Sequence, residues 1–427
     1  MINRACKSNL TLVTSVFFSL LILNFLTLCE RSYALDSGKG MSHYIHDVWQ
    51  TEQGLPQNFV VSITQTRDGY LWLATQEGLT RFDGIKFVVF DKRNTPQFAD
   101  NNIQALYEDR DGNLWVGTGN GLVRYRDGRF TSYGTKDGLS NSIVDSIYGD
   151  HQDNIWIGTP SGLNRFKDGT LTTYTTTDGL PTDVVLSIYE DREQTLWVGT
   201  RDGLSRLGDG RFITYTTRDG LSDNLIRAIC EDSEGNLWIG TGGGLDRLKE
   251  GKFTTFSTKD GLSNNSVLSL YADGEDTLWV GTYGGGLNRF KDGRIDAYST
   301  KEGLSNNSVG AIYEDREENL WVGTYGGGLN RLRDGTFITL TSVDGLSDET
   351  VSAIYQDREG DVWLGTRGGL NRLAYNRGAN AKGDCGQAFG MPCDAEFRAY
   401  TTRDGLANNI VVSIHQDRQG KLGFHKE

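Results

Sequence analysis

The chain has 427 residues and a formal net charge of -13, from 43 Lys plus Arg against 56 Asp plus Glu. A surface this acidic repels phosphate backbones, which argues against a nucleic-acid partner. The 55 glycines are spread along the chain, as many tight turns require, and the five cysteines and five histidines nowhere cluster at metal-ligand spacing. No metal and no other cofactor is therefore predicted.

The first 34 residues have the pattern of an export signal. Arg4 and Lys7 precede an uncharged run of 20 residues, 10–29, and residues 32–34 form the small-x-small sequence that signal peptidase cleaves. We predict a signal peptide at 1–34; because the run is long enough to span a bilayer, an uncleaved N-terminal anchor is the alternative. Both place the rest of the chain in the periplasm or elsewhere outside the cytoplasm.

Two cysteines flank a short glycine-rich stretch late in the chain. Cys385 and Cys393 lie in the sequence GDCGQAFGMPCD. In an oxidising compartment this pair is a candidate for a local disulfide.

A repeat organises the remainder of the chain. From Trp72 onward, tryptophan recurs every 41 to 43 residues. Self-similarity at this period is typical of propellers and repeat arrays. The positions are Trp72, Trp115, Trp156, Trp197, Trp238, Trp279, Trp321 and Trp363.

Each repeat contains four short runs of strand-forming residues separated by turn sequences. In the unit that starts at Gly261 these runs are 267–271, 278–282, 287–290 and 295–299. Glycine and aspartate fill the turns between them, and no run has a sustained helical period. Four strands per repeat predict the blade of an all-β propeller.

The residues that recur in every unit have structural explanations. The tryptophan is expected to fill the wedge between blades, and the Gly-Thr after it to permit close approach of the next blade. The sequence Asp109-x-x-Gly112-x-Leu114-Trp115 predicts a hairpin turn in which the aspartate accepts local backbone hydrogen bonds. A third-strand arginine is also expected to belong to the scaffold, by pairing with turn aspartates; it occurs at Arg81, Arg124, Arg165, Arg206, Arg247, Arg289, Arg331 and Arg372.

The ends of the repeat array suggest how the ring closes. Residues 44–55 resemble a fourth strand and its crossover, whereas the eighth unit loses its pattern after its third strand. We therefore predict an eight-bladed propeller over 35–376 whose last blade is completed by the N-terminal strand, with seven blades as the alternative. Residues 377–396 are then an insertion or linker, and 397–427 the incomplete start of a further propeller unit, as expected for the N-terminal part of a longer protein or a truncated gene product.

Segments such as GLSNNSVGAIYEDREENLWVGTYGGGLNRF resemble the two-component regulator propeller repeat, over roughly residues 44–423. The resemblance implies an extracytoplasmic sensor region whose propellers usually come in pairs. It also implies a following immunoglobulin-like linker, a membrane helix, and a histidine kinase or diguanylate cyclase. Propellers of this family are generally seven-bladed, in contrast to the count of eight. The sequence contains no kinase histidine box and no nucleotide-binding glycine motif.

Candidate ligand-binding residues lie where the repeat varies. The loops between second and third strands meet on one rim, and aromatic side chains beside charged ones suit a sugar or another small polar ligand. The hypothesis names Tyr283, Tyr325, Arg201, Asp202 and Arg367 there, against the alternative that the tyrosines merely fill loop space.

A second variable position lies in the innermost strand, at x of Val-x-Ser-Ile-Tyr. Gln104, Asp145 and Arg227 are polar at this position, where the axial channel is expected to open. They are predicted to contact a ligand or a column of channel water. The whole set is Val61, Gln104, Asp145, Leu186, Arg227, Leu268, Gly310 and Ser352.

Three classes of function remain open on these observations. The favoured one is the extracytoplasmic ligand-sensing propeller of a transmembrane signalling protein, whose output domains or second propeller lie elsewhere in the full-length protein. A propeller lyase or glycosidase is the enzymatic alternative, although the carboxylates repeat with the turns and no catalytic residue stands out. A secreted protein-interaction scaffold is the third.

Overall fold

The protein is described from a computed structural model, which places residues 44–208, 210–334, 342, 345–358, 361–375, 395–416 and 421–425. The predicted signal segment 1–34 and the predicted Cys385–Cys393 disulfide lie outside these residues, so both stay predictions. The chain divides into two units, Met1–Asp334 and Gly335–Glu427. None of the helical turns in the described ranges has the length and apolar character that a membrane crossing needs.

The first unit consists of seven antiparallel four-stranded sheets, here called blades 1 to 7. Six of them use four consecutive strands. Blade 1 contains β2 (Val60–Gln65), β3 (Leu71–Thr75), β4 (Gly78–Phe82) and β5 (Phe87–Phe90), and blade 2 contains β6 (Ile103–Glu108), β7 (Leu114–Thr118), β8 (Gly121–Arg126) and β9 (Arg129–Tyr133). Blade 3 contains β10 (Ser146–Gly149), β11 (Ile155–Thr159), β12 (Gly162–Lys167) and β13 (Thr170–Tyr174), and blade 4 contains β14 (Val185–Glu190), β15 (Leu196–Thr200), β16 (Gly203–Gly208) and β17 (Arg211–Tyr215). Blade 5 contains β18 (Ile226–Glu231), β19 (Leu237–Thr241), β20 (Leu245–Lys249) and β21 (Lys252–Phe256), and blade 6 contains β22 (Val267–Ala272), β23 (Leu278–Thr282), β24 (Gly286–Lys291) and β25 (Arg294–Tyr298).

Blade 7 is completed by the N-terminal strand. Its strands are β26 (Val309–Glu314), β27 (Leu320–Thr324), β28 (Gly328–Asp334) and β1 (Tyr44–Trp49). The β1 strand pairs antiparallel with β28, from Tyr44 opposite Asp334 to Trp49 opposite Leu329. The predicted all-β propeller of four-stranded blades is confirmed, with eight such sheets in the described residues. The pairing of β1 is consistent with closure by an N-terminal strand, but its partner is β28 of blade 7, so the assignment of that strand to the eighth blade is wrong.

Contacts between blades 7 and 1 close the ring after seven blades. Trp49 lies 5.4 Å, ring centre to ring centre, from Trp321 of blade 7 and from Phe82 of blade 1. Arg316 of blade 7 donates its backbone N–H to the side-chain oxygen of Gln65 in blade 1, at 3.0 Å. The seven-bladed alternative is thus the one that the structure adopts in its first unit.

The second unit contains the eighth four-stranded sheet and a hairpin. The sheet is formed by β29 (Val351–Gln356), β30 (Val362–Thr366), β31 (Leu370–Tyr375) and β32 (Ala395–Tyr400), and the hairpin by β33 (Ser413–Gln416) and β34 (Leu422–His425). The fourth strand of the eighth sheet therefore follows the Gly/Cys insertion. This insertion separates β31 from β32 in the sequence and made β32 resemble the start of a new unit.

Each tryptophan-bearing strand is the buried centre of its blade. In blade 5, all of β19 is buried, and a Cβ atom added to Gly240 would lie 2.6 Å from Cγ1 of Val267 in blade 6. The same contact joins Gly323 of blade 7 to Val60 of blade 1, at 2.8 Å. Only glycine permits this approach, which confirms the role expected of the Gly-Thr pair.

The turn aspartate also anchors the tryptophan. In blade 2, Oδ1 of Asp109 accepts the backbone N–H groups of Asp111 and Asn113, while Oδ2 accepts the indole N–H of Trp115 at 2.7 Å. The same indole–aspartate bond occurs in blades 3 to 7, and in blade 1 Thr66 replaces the aspartate. The predicted hairpin turn is confirmed, and it fixes the wedge residue in place.

The recurrent arginine is part of the scaffold, and the predicted pairing with a turn aspartate is confirmed for Arg372, which binds Asp361. In other units its partners differ from those predicted. Arg331 binds Asp47 of β1 at 2.6 Å, and Arg289 binds Asp296 of β25 at 2.8 Å. Both carboxylates belong to the fourth strand of the blade. Arg247 instead lies over the ring of Trp238, 5.6 Å from its centre.

Short 3-10 turns begin the connections between blades. Before blade 6, Ser257 Oγ accepts the N–H of Lys259, Asp260 accepts the N–H of Ser257 at 2.9 Å, and Gly261 follows with φ +106°. The Ser/Thr-x-x-Asp-Gly sequence thus caps both ends of the turn. The turns are Thr51–Gln53, Thr135–Asp137, Thr176–Asp178, Thr258–Asp260 and Thr402–Asp404.

Candidate functional site

In six of the seven blades of the first unit, the innermost strand carries a β-bulge at the variable position x. In blade 3, the residue at x is Asp145, which directly precedes the first residue of β10. The pairing of β6 with β7 skips from Ile103 to Ala105, and that of β18 with β19 from Ile226 to Ala228. The skipped residues are Gln104 and Arg227. A bulged residue is released from the ladder and its side chain is re-aimed, here into the space around the ring axis.

A cavity of about 390 Å³ is lined by the residues at position x in the seven blades of the first unit, Val61, Gln104, Asp145, Leu186, Arg227, Leu268 and Gly310. Phe59, Gln76, Asn102 and Tyr325 contribute loop side chains to it. The same seven residues also line a second cavity of about 290 Å³ along the inner strands. The size of the first cavity is in the range of small-molecule sites.

The structure brings four of the eight predicted site residues together in this cavity: Gln104, Asp145, Arg227 and Tyr325. The other four do not line it. Tyr283, Arg201 and Asp202 are exposed on their loops, with Tyr283 58% exposed, and Arg367 belongs to the second unit.

Tyr325 differs from its repeat equivalent Tyr283 because a glycine makes room for it. A Cβ atom added to Gly310 would lie 2.1 Å from the Tyr325 ring, so the ring occupies the space over the inner strand. The Tyr325 ring also stacks on Phe59, with ring centres 4.4 Å apart and planes 12° apart. In blade 6, Leu268 stands where Gly310 stands in blade 7, and Tyr283 remains exposed.

Phe59 was missed by the sequence analysis. It lies between the crossover and β2, outside both variable positions that were considered. One sequence signal pointed to an aromatic contact here. Gly310 is the one glycine at position x in the seven blades of the first unit, and the same blade has an aromatic residue, Tyr325, at its loop tip.

Opposite charges face the cavity without protein partners. Among the described residues, the side chains of Gln104, Asp145 and Arg227 make no hydrogen bond or ion pair. Burial raises the pKa of Asp145 to about 6. Burial also raises the pKa of Tyr325, and the nearby Arg227 opposes that rise.

We expect Asp145→Asn to stabilise the protein at pH 8 and to have no effect at pH 3.5. The folded-state pKa of about 6 exceeds the ordinary value of 3.8, so ionisation of Asp145 opposes folding; that penalty is complete above pH 6 and absent below the ordinary pKa. Because solvent still reaches the side chain, the gain at pH 8 should be about 1 kcal/mol. Melting curves at several pH values measure it, and an equal effect at both extremes would contradict burial as the cause.

In the described part of the chain, no three His, Cys, Asp or Glu side chains converge as a metal site. The cavity offers cationic, carboxylic and amide side chains and a stacked aromatic pair. Such a set can bind and orient a polar ligand.

Comparison with known proteins agrees with this architecture. The family described as two component regulator propeller matches residues 54–77, 97–120, 137–161, 179–202, 220–243, 261–284, 303–326 and 345–368. Each match runs from a crossover through the tryptophan strand to the following loop tip. Seven of them fall in the first unit and one in the second.

Several proteins resemble the chain. The extracellular domain assigned to a hybrid two component system of B. thetaiotaomicron is 26% identical, with a TM-score of 0.62 over 89% of this chain and 52% of that one. Virginiamycin B lyase of Staphylococcus aureus shares the fold, with 18% identity and a TM-score of 0.54 over 69% of this chain and 99% of the lyase. Histidine kinase P4 of Formosa agariphila is 30% identical over 80 residues, 19% of this chain and 5% of the kinase.

The chain thus spans about half the length of the two component extracellular domain and a small part of the kinase. Its eight repeat matches, its seven closed blades and its similarity to an extracellular sensor-system domain agree with one another. The chain belongs to the two component regulator propeller family.

Proposed function

We propose that this chain is the extracytoplasmic, ligand-sensing propeller of a transmembrane signalling protein, and that the ligand binds in the axial cavity. One observation carries the proposal: Gln104, Asp145 and Arg227, all without partners among the described residues, converge with the Tyr325–Phe59 stack. Gln104 and Asp145 are half-buried and Arg227 is exposed, so their hydrogen-bonding groups stand open to the cavity, where a ligand can supply the partners.

The asymmetry of the ring supports a site in the first unit. A purely structural propeller axis can repeat one residue type at every blade. Here the bulged position changes from blade to blade, while the tryptophan, turn aspartate and glycine repeat. The variation is therefore concentrated where a ligand would make contact.

In this proposal the ligand is a carbohydrate or another small polar molecule. The output comes from a histidine kinase or diguanylate cyclase module of the full-length signalling protein. The similarity to a two component extracellular domain and to part of a histidine kinase supports this arrangement.

A thermal-shift screen of the purified chain 35–427 against glycans, amino acids, dipeptides and small metabolites tests the proposal. We expect at least one compound to raise the melting temperature. Tyr325→Ala should abolish the rise because it removes the aromatic wall of the cavity. Tyr283→Ala is the matched control, since its ring is exposed, and it should preserve the rise.

The same screen tests the competing functions. The lyase has the same fold, and Asp145 has a pKa suited to proton transfer near neutral pH, so product formation from a probe would support an enzyme. Binding that survives Tyr325→Ala would place the site elsewhere. A screen without any response would contradict small-ligand sensing and favour an interaction scaffold.

A further inference from the structure

We propose that the axial cavity selects a small zwitterion of amino-acid to dipeptide size, whose carboxylate binds Arg227 and whose ammonium group binds Asp145. This inference rests on the proposed function, because it requires the cavity to be the ligand site. It concerns the charge pattern of the ligand, which the proposed function leaves open.

The cavity carries one positive and one negative side chain, and they do not neutralise each other. No ion pair joins Asp145 and Arg227 in the described structure, and burial is the cause of the changed acidity of Asp145, with no contribution from Arg227. Asp145 is half-buried and Arg227 is exposed, so both charged groups are available to a ligand. A neutral ligand would exclude water from both charges and compensate neither.

One end of the cavity is suited to a carboxylate. Arg227 projects from its bulge in blade 5, and it lies near enough to Tyr325 of blade 7 to influence the hydroxyl electrostatically. A guanidinium presents paired N–H donors that match the two oxygens of a carboxylate.

The other end is suited to a cationic donor. Asp145 lies between Gln104 of blade 2 and Leu186 of blade 4 on the neighbouring inner strands, and neither of these flanking side chains titrates. The ionised carboxylate can only accept hydrogen bonds. An ammonium group supplies both the donors and the compensating charge.

The positions of the two charged side chains indicate where the carbon skeleton of the ligand would lie. Asp145 and Arg227 belong to blades 3 and 5, and the apolar Leu186 of blade 4 lies between them around the ring. A molecule that spans the two charges would place its carbon skeleton against Leu186. The cavity of about 390 Å³ admits molecules of amino-acid to dipeptide size.

Isothermal titration calorimetry with the chain 35–427 at pH 7.5 tests the inference. The probes are free amino acids and glycyl dipeptides, their N-acetyl and C-terminal amide derivatives, and neutral disaccharides. We expect a free zwitterion to bind, and each blocked derivative to bind at least tenfold more weakly. Arg227→Gln should weaken the zwitterion at least tenfold and remove the preference over its amide. Asp145→Asn should also weaken binding of the zwitterion at least tenfold, and it should remove the preference for the zwitterion over its N-acetyl derivative.

Tyr283→Ala is the matched control and should leave the dissociation constant unchanged within twofold. A neutral disaccharide could instead bind in a way that requires Tyr325 but is unaffected by Arg227→Gln and Asp145→Asn. That result would overturn the inference of a zwitterionic ligand and would still support the cavity as the sensing site. A ligand that depends on Arg227 alone would also overturn it. If no probe of any class binds, the sensing function itself is contradicted.

Discussion

Deletion of Tyr44–Trp49 from the chain is expected to open the ring and to produce a protein that aggregates or unfolds well below the melting temperature of the parent. The deletion removes the outer strand of blade 7 and leaves the ladder edge of β28 unpaired. It also removes Trp49, whose ring lies between Trp321 and Phe82 at the junction of blades 7 and 1. An exposed strand edge recruits other chains.

Size-exclusion chromatography and thermal unfolding of the chains with and without these residues measure the effect. The matched control is the chain 35–334, which retains β1 and all seven blades of the first unit. We expect that control to remain monomeric and folded. A folded, monomeric protein after deletion of β1, or an unfolded 35–334 chain, would contradict closure by β1 on blade 7.

The blade architecture could be predicted because its causes are local and repeated eight times. Asp109, Gly112 and Trp115 stand at fixed spacing, and each has a role that is met within its own hairpin or the adjacent blade. Because the pattern recurs in every unit, a strand that is uncertain in one unit can be assigned from the others. The indole–aspartate bond itself was not foreseen, although the constant spacing of six residues between the two was visible.

The number of blades in the ring could not be predicted in the same way, because it depends on which distant strands pair. The fourth strand of the eighth sheet, Ala395–Tyr400, is separated from Tyr375 by the Gly/Cys insertion. The eighth unit therefore looked incomplete and in need of β1. The wedge angle between blades decides the count, and no single residue encodes that angle.

Half of the predicted site residues line the cavity, and the difference between the two halves also depends on contacts between distant parts of the chain. Gln104, Asp145 and Arg227 break the repeat at one position, and all three line the cavity, so variability alone identified them. Tyr283 and Tyr325 occupy the same loop position with opposite results, because Gly310 admits one ring and Leu268 stands in the equivalent place in blade 6. That outcome depends on packing between elements and not on the loop sequence.

Trp238→Ala is expected to lower the free energy of unfolding by about 3–5 kcal/mol, because it deletes a large, 2% exposed side chain between two blades. The indole packs edge-on against Phe290 of blade 6 at 5.0 Å and donates its N–H to Asp232 at 2.7 Å. The alanine variant would leave a cavity and would remove one of the hydrogen bonds that Oδ2 of Asp232 accepts, while the bond from Asn236 remains. Chemical denaturation of the chain 35–427 measures the loss.

Tyr283→Ala is the control for this prediction as well. Because the tyrosine is exposed, its replacement should change the free energy of unfolding by less than about 0.5 kcal/mol. Similar losses for the two variants would contradict the division into wedge and rim residues. Trp238→Phe then separates the two parts of the tryptophan contribution, because it keeps most of the apolar volume and removes the N–H. It should cost about 1–3 kcal/mol, because it removes one hydrogen bond to the charged Asp232 oxygen, which keeps Asn236 as a donor. A loss equal to that of Trp238→Ala would mean that the bond to the turn, and not the packing between blades, holds this wedge in place.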